Sequence, residues 1–143
     1  MSTAPSTTMT AEAIILETAA HYADNPPAKR ALVTKGDCEC LYLTPDGRMC
    51  ALGRCLKDPK KFAHIHGQVE TLVTKIKGDF RSPAEALDSI LKPQYRGHPL
   101  KLWHRLQSFH DSPSNWTNTG LSVDGRRRLF DLLNEYHINP SEP

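Results

Sequence analysis

The sequence predicts a mainly α-helical fold with one β-hairpin (α+β), in which about five helices surround a single core. Apolar residues recur at helical spacing along most of the chain. The segment CECLYLTPDGRMCAL, residues 38–52, instead places two short apolar runs around a Pro-Asp-Gly turn, which is the pattern of a hairpin. A length of 143 residues suits one domain, and 38% hydrophobic content is enough for a folded core.

Boundary signals define the first helices. Thr10 is a candidate cap for a helix from Ala11 to about Tyr22, and the prolines at 26 and 27 open a loop that runs to residue 36. A second apolar stripe runs from Phe62 to Ile76, although Gly67 interrupts it and its β-branched residues leave a strand open.

The last three helices begin at clearer signals. Ser82-Pro83-Ala84-Glu85 is a capping box with proline at the first helical position. Pro99 opens the next helix, and Ser122 caps the last, whose apolar stripe is Leu129, Leu132, Leu133 and Tyr136. We therefore expect a disordered tail at 1–9, a single helical domain at 10–138 and a short tail at 139–143.

The distribution of charge points to an anionic ligand. The net charge is only +2, but residues 28–81 hold eleven Lys and Arg against six Asp and Glu, and residues 92–128 hold seven against two. If these segments meet, they form a basic face. The side chains expected to contact the ligand are Arg96, Lys101, His104, Arg105, Trp116, Arg126, Arg127 and Arg128. For Trp116 the preferred interpretation is structural, as a plug that holds its loop on the core, and ligand stacking is the alternative.

The leading functional prediction is a small non-catalytic binding or regulatory protein. Its ligand would be a nucleotide or an acidic protein surface, and nucleic acid is the first alternative. The predicted location is cytoplasmic with no membrane partner, because no apolar run approaches the roughly 18 residues that cross a bilayer and the start MSTAPSTTMT lacks a secretory signal. Exposure of Trp103, Trp116 or Phe130 as a patch would favour a homo-oligomer.

Two further alternatives use metal chemistry. Cys38, Cys40, Cys50 and Cys55 lie within eighteen residues and could stabilise the hairpin through zinc, although their spacing is not that of a standard knuckle. Buried free thiols are the preferred interpretation, so no cofactor is expected. His104, His110 and Asp111 offer a weaker case for a metal-dependent phosphohydrolase, because such a site needs more ligands than the sequence supplies.

Several sequence blocks resemble a set of small uncharacterised proteins found in tailed phages and bacteria. These blocks are C-x-Y-L-T-P-D-G-R-M-C-A-L-G-R-C-L at residues 40–56, Tyr95-Arg96-Gly97, L-Q-x-x-H-D at 106–111, Trp116 and G-L-S-x-x-G at 120–125. The resemblance implies an accessory protein of a phage or its host, such as one that acts on a host protein or a nucleotide signal. It carries over no functional residue.

Overall fold

The computed structural model describes residues 8–24, 29, 32–33, 39–40, 47–62 and 69–138. Across these residues the chain is mainly helical, as predicted, with five α-helices. They are α1 (Ala11–Ala23), α2 (Val69–Thr74), α3 (Pro83–Ile90), α4 (Leu100–Asp111) and α5 (Val123–Ile138). Short 3-10 turns lie at Gly53–Cys55, Pro59–Phe62, Pro93–Tyr95 and Pro113–Asn115.

The predicted starts of α1 and α3 are confirmed by their capping hydrogen bonds. The Oγ1 of Thr10 accepts from the amide of Ala13 at 3.1 Å, and the Oγ of Ser82 accepts from that of Glu85 at 3.2 Å. The Glu85 carboxylate in turn accepts from the amide of Arg81 at 2.8 Å. Both helices therefore begin where local sequence alone satisfies their free amides.

The second predicted helix is described over only part of its apolar stripe. Phe62 lies in a 3-10 turn, residues 63–68 fall outside the described residues, and α2 covers only Val69–Thr74. The amides of Lys75 and Ile76 bond to carbonyls three residues back, so the helix tightens and ends there.

The predicted hairpin at 38–52 is not shown. Residues 38 and 41–46 lie outside the described part, and the expected second strand, residues 49–52, has no strand structure. Glu39–Cys40 instead pairs antiparallel with Leu32–Val33 over two residues. Cys50, Ala51 and Leu52 are all fully buried, and the chain then turns into the 3-10 segment Gly53–Cys55.

The buried segment 50–56 holds the core together. The Leu52 amide donates to the Gln107 side chain of α4 at 2.8 Å. Leu56 forms an isolated bridge with Leu91, just after α3. The largest fully buried side chains come from this segment and from α1 to α4, and they include Ile14, Ile15, Tyr22, Leu52, Leu56, Leu72, Leu87, Leu102, Trp103 and Leu106.

Helix α5 is joined to the preceding loop by a close backbone approach. The Asn115 carbonyl accepts from the Ser122 amide at 2.9 Å, and the Ser122 Oγ accepts from the Gly125 amide at 2.9 Å. A Cβ at Gly125 would lie 2.0 Å from the Asn115 carbonyl oxygen. The block G-L-S-x-x-G therefore fixes where α5 begins.

The predicted tails fall largely outside the described residues. Met9 is described, and its amide donates to the Gln94 carbonyl at 2.8 Å while its own carbonyl accepts from the His98 Nε2 at 2.8 Å. No described helix combines the length and apolar character needed to span a membrane.

Candidate binding surface

Three arginines near the start of α5 are exposed to solvent. Arg126, Arg127 and Arg128 are all solvent-exposed, and within the described ranges none of them has an acidic group within ion-pair distance. Cationic side chains oppose the dipole of the helix at this end. Their position therefore does not serve the stability of α5.

Two of these arginines share a helix face with exposed apolar side chains. At 3.6 residues per turn, Val123, Arg126, Arg127 and Phe130 follow the i, i+3, i+4, i+7 pattern of one face. Val123 is 72% exposed and Phe130 62%. We call these four residues the α5 face.

A neighbouring side of α5 attaches the helix to the core. Leu132 is buried, and Leu129, Leu133 and Tyr136 are partly buried against the core cluster, so the predicted apolar stripe is confirmed. The α5 face is therefore a solvent-facing stripe on a packed helix.

The other predicted basic residues are engaged elsewhere. Lys101 and Arg105 both reach the Glu135 carboxylate, at 3.5 and 3.3 Å. Glu135 lies eight residues beyond Arg127, about 12 Å along α5 at 1.5 Å per residue. The Arg96 Nε donates to the Leu91 carbonyl at 3.1 Å, next to α3. Lys101 and Arg105 thus share the Glu135 carboxylate, with which none of the three arginines at 126–128 forms an ion pair among the described residues.

The side chains of His104 and Trp116, two of the predicted ligand contacts, interact with other residues of the protein. The His104 Nε2 pairs with the Glu70 carboxylate of α2. Trp116 is 8% exposed, its Nε1 donates to the His110 carbonyl at 3.1 Å, and its ring meets that of Phe109 edge-on at 5.2 Å. Trp103 is fully buried. Of the three aromatic residues considered for an oligomer contact, Phe130 is therefore the exposed one.

The histidine and carboxylate residues of the phosphohydrolase alternative form two separate pairs. His104 pairs with Glu70, whereas the Nδ1 of the fully buried His110 lies 2.7 Å from the Asp111 carboxylate. His104 and His110 are six residues apart, which places them on different sides of α4. In the described part of the chain, no three Cys, His, Asp or Glu side chains are grouped to hold a metal ion.

Cys50 and Cys55 are buried. The Cys50 Sγ accepts from the Gly53 amide at 3.3 Å, and the Cys55 Sγ donates to the Ala51 carbonyl at 3.5 Å. Burial raises the pKa of the Cys55 thiol to about 12, so it stays protonated and unreactive at neutral pH. Cys38 and the side chain of Cys40 lie outside the described residues, so the zinc alternative remains a prediction.

A buried ionic network links α1 to segment 50–56, and sequence reasoning missed it. The Arg54 guanidinium contacts the Glu17 carboxylate at 2.9 Å, the Thr18 Oγ1 at 2.8 Å and the Tyr95 hydroxyl at 3.3 Å. The Tyr95 hydroxyl donates to Glu17 at 2.6 Å. The available signal was one charged residue, Arg54, inside the otherwise apolar run CALGRCL.

The network also sets the ionisation of its members. Burial alone would raise the pKa of Glu17, but hydrogen bonds from Tyr95 and Arg54 and the charge of Arg54 lower it below its ordinary value. Burial, together with the hydrogen bond to Glu17, raises the pKa of Tyr95 to about 12. At neutral pH, Arg54 and Glu17 are therefore both charged.

Comparison of the chain with models of known protein families, with curated proteins and with solved structures finds no match. The function is therefore argued from the residues themselves. Several residues of the motif blocks, such as Arg54, Tyr95, Gln107, Trp116 and Gly125, hold the fold together.

Proposed function

We propose that this protein is a non-catalytic binding protein whose α5 face docks onto an acidic surface of a partner protein. The observation that carries the proposal is the pair of exposed arginines, Arg126 and Arg127, between exposed Val123 and Phe130. Protein interfaces are enriched in arginine and aromatic side chains, and these residues often dominate the binding energy.

The shape and composition of the α5 face favour a protein surface over a nucleotide. Small ligands are bound mainly in concave pockets that cover most of their surface. The α5 face is the outer side of a helix and offers no such enclosure. An extended acidic surface can meet both arginines at once, and its apolar side chains can cover Val123 and Phe130.

Nucleic acid is less favoured by the same surface. Asp124 and Asp131 are exposed on α5 beside the arginines, and their carboxylates would repel a phosphate backbone along the helix. An acidic protein patch presents its charges at discrete positions and can avoid these two residues. A protein partner also agrees with the phage or host accessory role that the sequence blocks imply.

Charge reversal on the α5 face tests this proposal. The probes are a fluorescent helical peptide with glutamates and leucines on one face, a short DNA duplex and ATP, each titrated by fluorescence anisotropy. We expect the peptide to bind most tightly and the double variant Arg126→Glu, Arg127→Glu to weaken it at least about tenfold, since two interface arginines together contribute more than about 1.4 kcal/mol.

A control variant separates the effect of this surface from the effect of the protein's net charge. Lys75→Glu combined with Lys77→Glu makes the same change in charge at two exposed lysines after α2, and it should leave peptide binding within about twofold. The proposal is wrong if both double variants weaken binding equally, or if the duplex or ATP binds more tightly than the peptide.

A further inference from the structure

A second group of exposed basic side chains surrounds the short antiparallel contact between residues 55–57 and the end of α3. At the centre of this contact, Leu56 and Leu91 form a bridge and are both fully buried. The amides of Lys57 and Lys92 each donate a hydrogen bond across the contact, at 2.9 and 2.8 Å. The core therefore fixes the backbone that carries both lysines.

The register of this contact places Lys57 and Lys92 on the same outer side. Lys57 directly follows Leu56 and Lys92 directly follows Leu91, and both leucines have extended backbone. Successive side chains of an extended segment point to opposite sides, so both lysines point away from the buried bridge. They are solvent-exposed. Their positions are diagonal neighbours, which lie about 7–8 Å apart in an antiparallel pair.

Two more lysines extend this group along the chain. Lys60 and Lys61 lie in the 3-10 turn Pro59–Phe62, shortly after Lys57, and both are exposed. Asp58 is the single acidic residue in this stretch of sequence. We use the name lysine cluster for Lys57, Lys60, Lys61 and Lys92.

The positive charge of the lysine cluster is not compensated within the described part of the chain. None of its ammonium groups lies within ion-pair distance of a carboxylate there, whereas the side chains of Lys29, Lys101 and Arg105 all do. The Lys92 ammonium donates to the Arg54 carbonyl at 3.2 Å, but this acceptor carries no net charge. The cluster can therefore gain ionic interactions from an anionic partner.

The lysine cluster lacks the apolar side chains on which a protein or membrane partner depends. The large apolar residues exposed in the described chain are Leu16, Val123 and Phe130, and none of them lies in the segments that carry the cluster. In those segments, Phe62 and Ile90 are partly buried against the core. A protein interface uses buried apolar or aromatic anchors, and a helix on a membrane surface inserts apolar side chains into the lipid. A phosphate backbone requires neither.

We propose that the lysine cluster binds the phosphate backbone of double-helical nucleic acid without regard to base sequence. Lysine ammonium groups bind phosphates as point charges, and a duplex presents closely spaced phosphates that can engage several lysines at once. The cluster offers no bidentate side chain to read a base edge and no exposed aromatic ring to stack on a base. The proposal concerns a different surface from the α5 face and does not depend on its partner.

The salt dependence of duplex binding tests this proposal on the full-length protein. The probes are labelled DNA duplexes of two unrelated sequences and one RNA duplex, each titrated by fluorescence anisotropy. Between about 50 and 200 mM salt, four phosphate contacts predict a loss of affinity on the order of a hundredfold, since each contact adds about −0.9 to the logarithmic slope. Lys57→Gln with Lys92→Gln, or Lys60→Gln with Lys61→Gln, should reduce this loss to about tenfold.

The matched control is Lys29→Gln with Lys101→Gln, which removes the same charge at two lysines that already pair with carboxylates. It should keep the salt dependence of the wild-type protein. The two DNA sequences should bind equally, and the RNA duplex shows which kind of double helix binds more tightly. Absence of duplex binding at the lowest salt, an unchanged salt dependence in both cluster variants, or an equal change in the control would overturn the proposal. Tighter binding to vesicles of anionic phospholipid would also overturn it.

The same titrations separate the lysine cluster from the α5 face. Arg126→Glu with Arg127→Glu should weaken binding of the acidic peptide but keep the salt dependence of duplex binding. Loss of duplex binding in this variant, with no change in the cluster variants, would place the duplex on the α5 face and contradict the proposal. At physiological salt, backbone binding of this kind has a Kd of about 10⁻⁴ to 10⁻⁶ M, so we expect the acidic peptide to remain the tighter ligand.

Discussion

Replacement of Gly125 by alanine is expected to destabilise the protein by about 3 kcal/mol, at the upper end for an overpacked site. The added Cβ would lie 2.0 Å from the Asn115 carbonyl oxygen and 2.9 Å from the Leu121 Cδ2. The first of these atoms is backbone and cannot rotate away. The start of α5 would therefore have to separate from the loop at 113–115.

The expected loss of stability in Gly125→Ala is opposite in sign to the effect of helix propensity. Alanine is normally favoured over glycine in a helix by up to about 1 kcal/mol, so a large loss can only come from the close approach. Gly120→Ala is the control, because its Cβ would meet only the Ala23 carbonyl, at 3.4 Å. Urea denaturation measures both variants, and an unchanged or increased stability of Gly125→Ala would contradict the described junction.

The buried network should respond very differently to the loss of each charge. Glu17→Ala leaves the Arg54 guanidinium, only 8% exposed, without a counter-ion, and we expect a loss of about 3 kcal/mol. This value is at the lower end for a buried pair, because the Glu17 side chain is 39% exposed and partly screened by water.

The opposite substitution should be mild. Arg54→Met fills the same region with apolar atoms and leaves Glu17 free to turn towards water, so we expect a loss below about 1 kcal/mol. The double variant should then be more stable than Glu17→Ala alone, by about 2 kcal/mol. Urea denaturation of the wild-type protein, the two single variants and the double variant completes a double-mutant cycle. Additive losses would show that Arg54 and Glu17 do not interact as described.

The same pair predicts how stability depends on pH. Because folding lowers the pKa of Glu17 below its ordinary value of 4.5, the unfolded chain binds more protons at this residue in that range. Its contribution to stability is therefore complete above about pH 4.5 and is lost as the pH falls through the folded-state pKa. Glu17→Ala should lack this part of the acid sensitivity.

Local signals predicted the parts of the fold that depend on neighbouring residues. Thr10 and Ser82 cap helices because the amides they satisfy lie three residues away. The stripe of α5 likewise follows from spacing within one helix. The hairpin prediction relied on two short apolar runs around a Pro-Asp-Gly turn at residues 38–52. Segment 50–56 is instead buried against α1, α3 and α4, and a local pattern does not report such packing.

In the candidate site too, some features could be predicted from the sequence and others could not. The three arginines at 126–128 are visible in the sequence, but the capture of Lys101 and Arg105 by Glu135 joins residues at least 30 positions apart. Arg54 and Glu17 are 37 positions apart. Such pairings depend on how helices pack, so a count of charges along the chain overestimates the basic surface.

Photo-crosslinking tests most directly the proposal that the α5 face docks onto a partner protein. A benzophenone amino acid replaces Phe130 in one variant and Leu16, an apolar residue of α1 that is 52% exposed, in another. In cells that make the protein, we expect position 130 to crosslink to an acidic segment of another protein, and Arg126→Glu with Arg127→Glu to abolish this crosslink. Equal crosslinking from position 16, crosslinks to nucleic acid, or no crosslink at position 130 would contradict the claim.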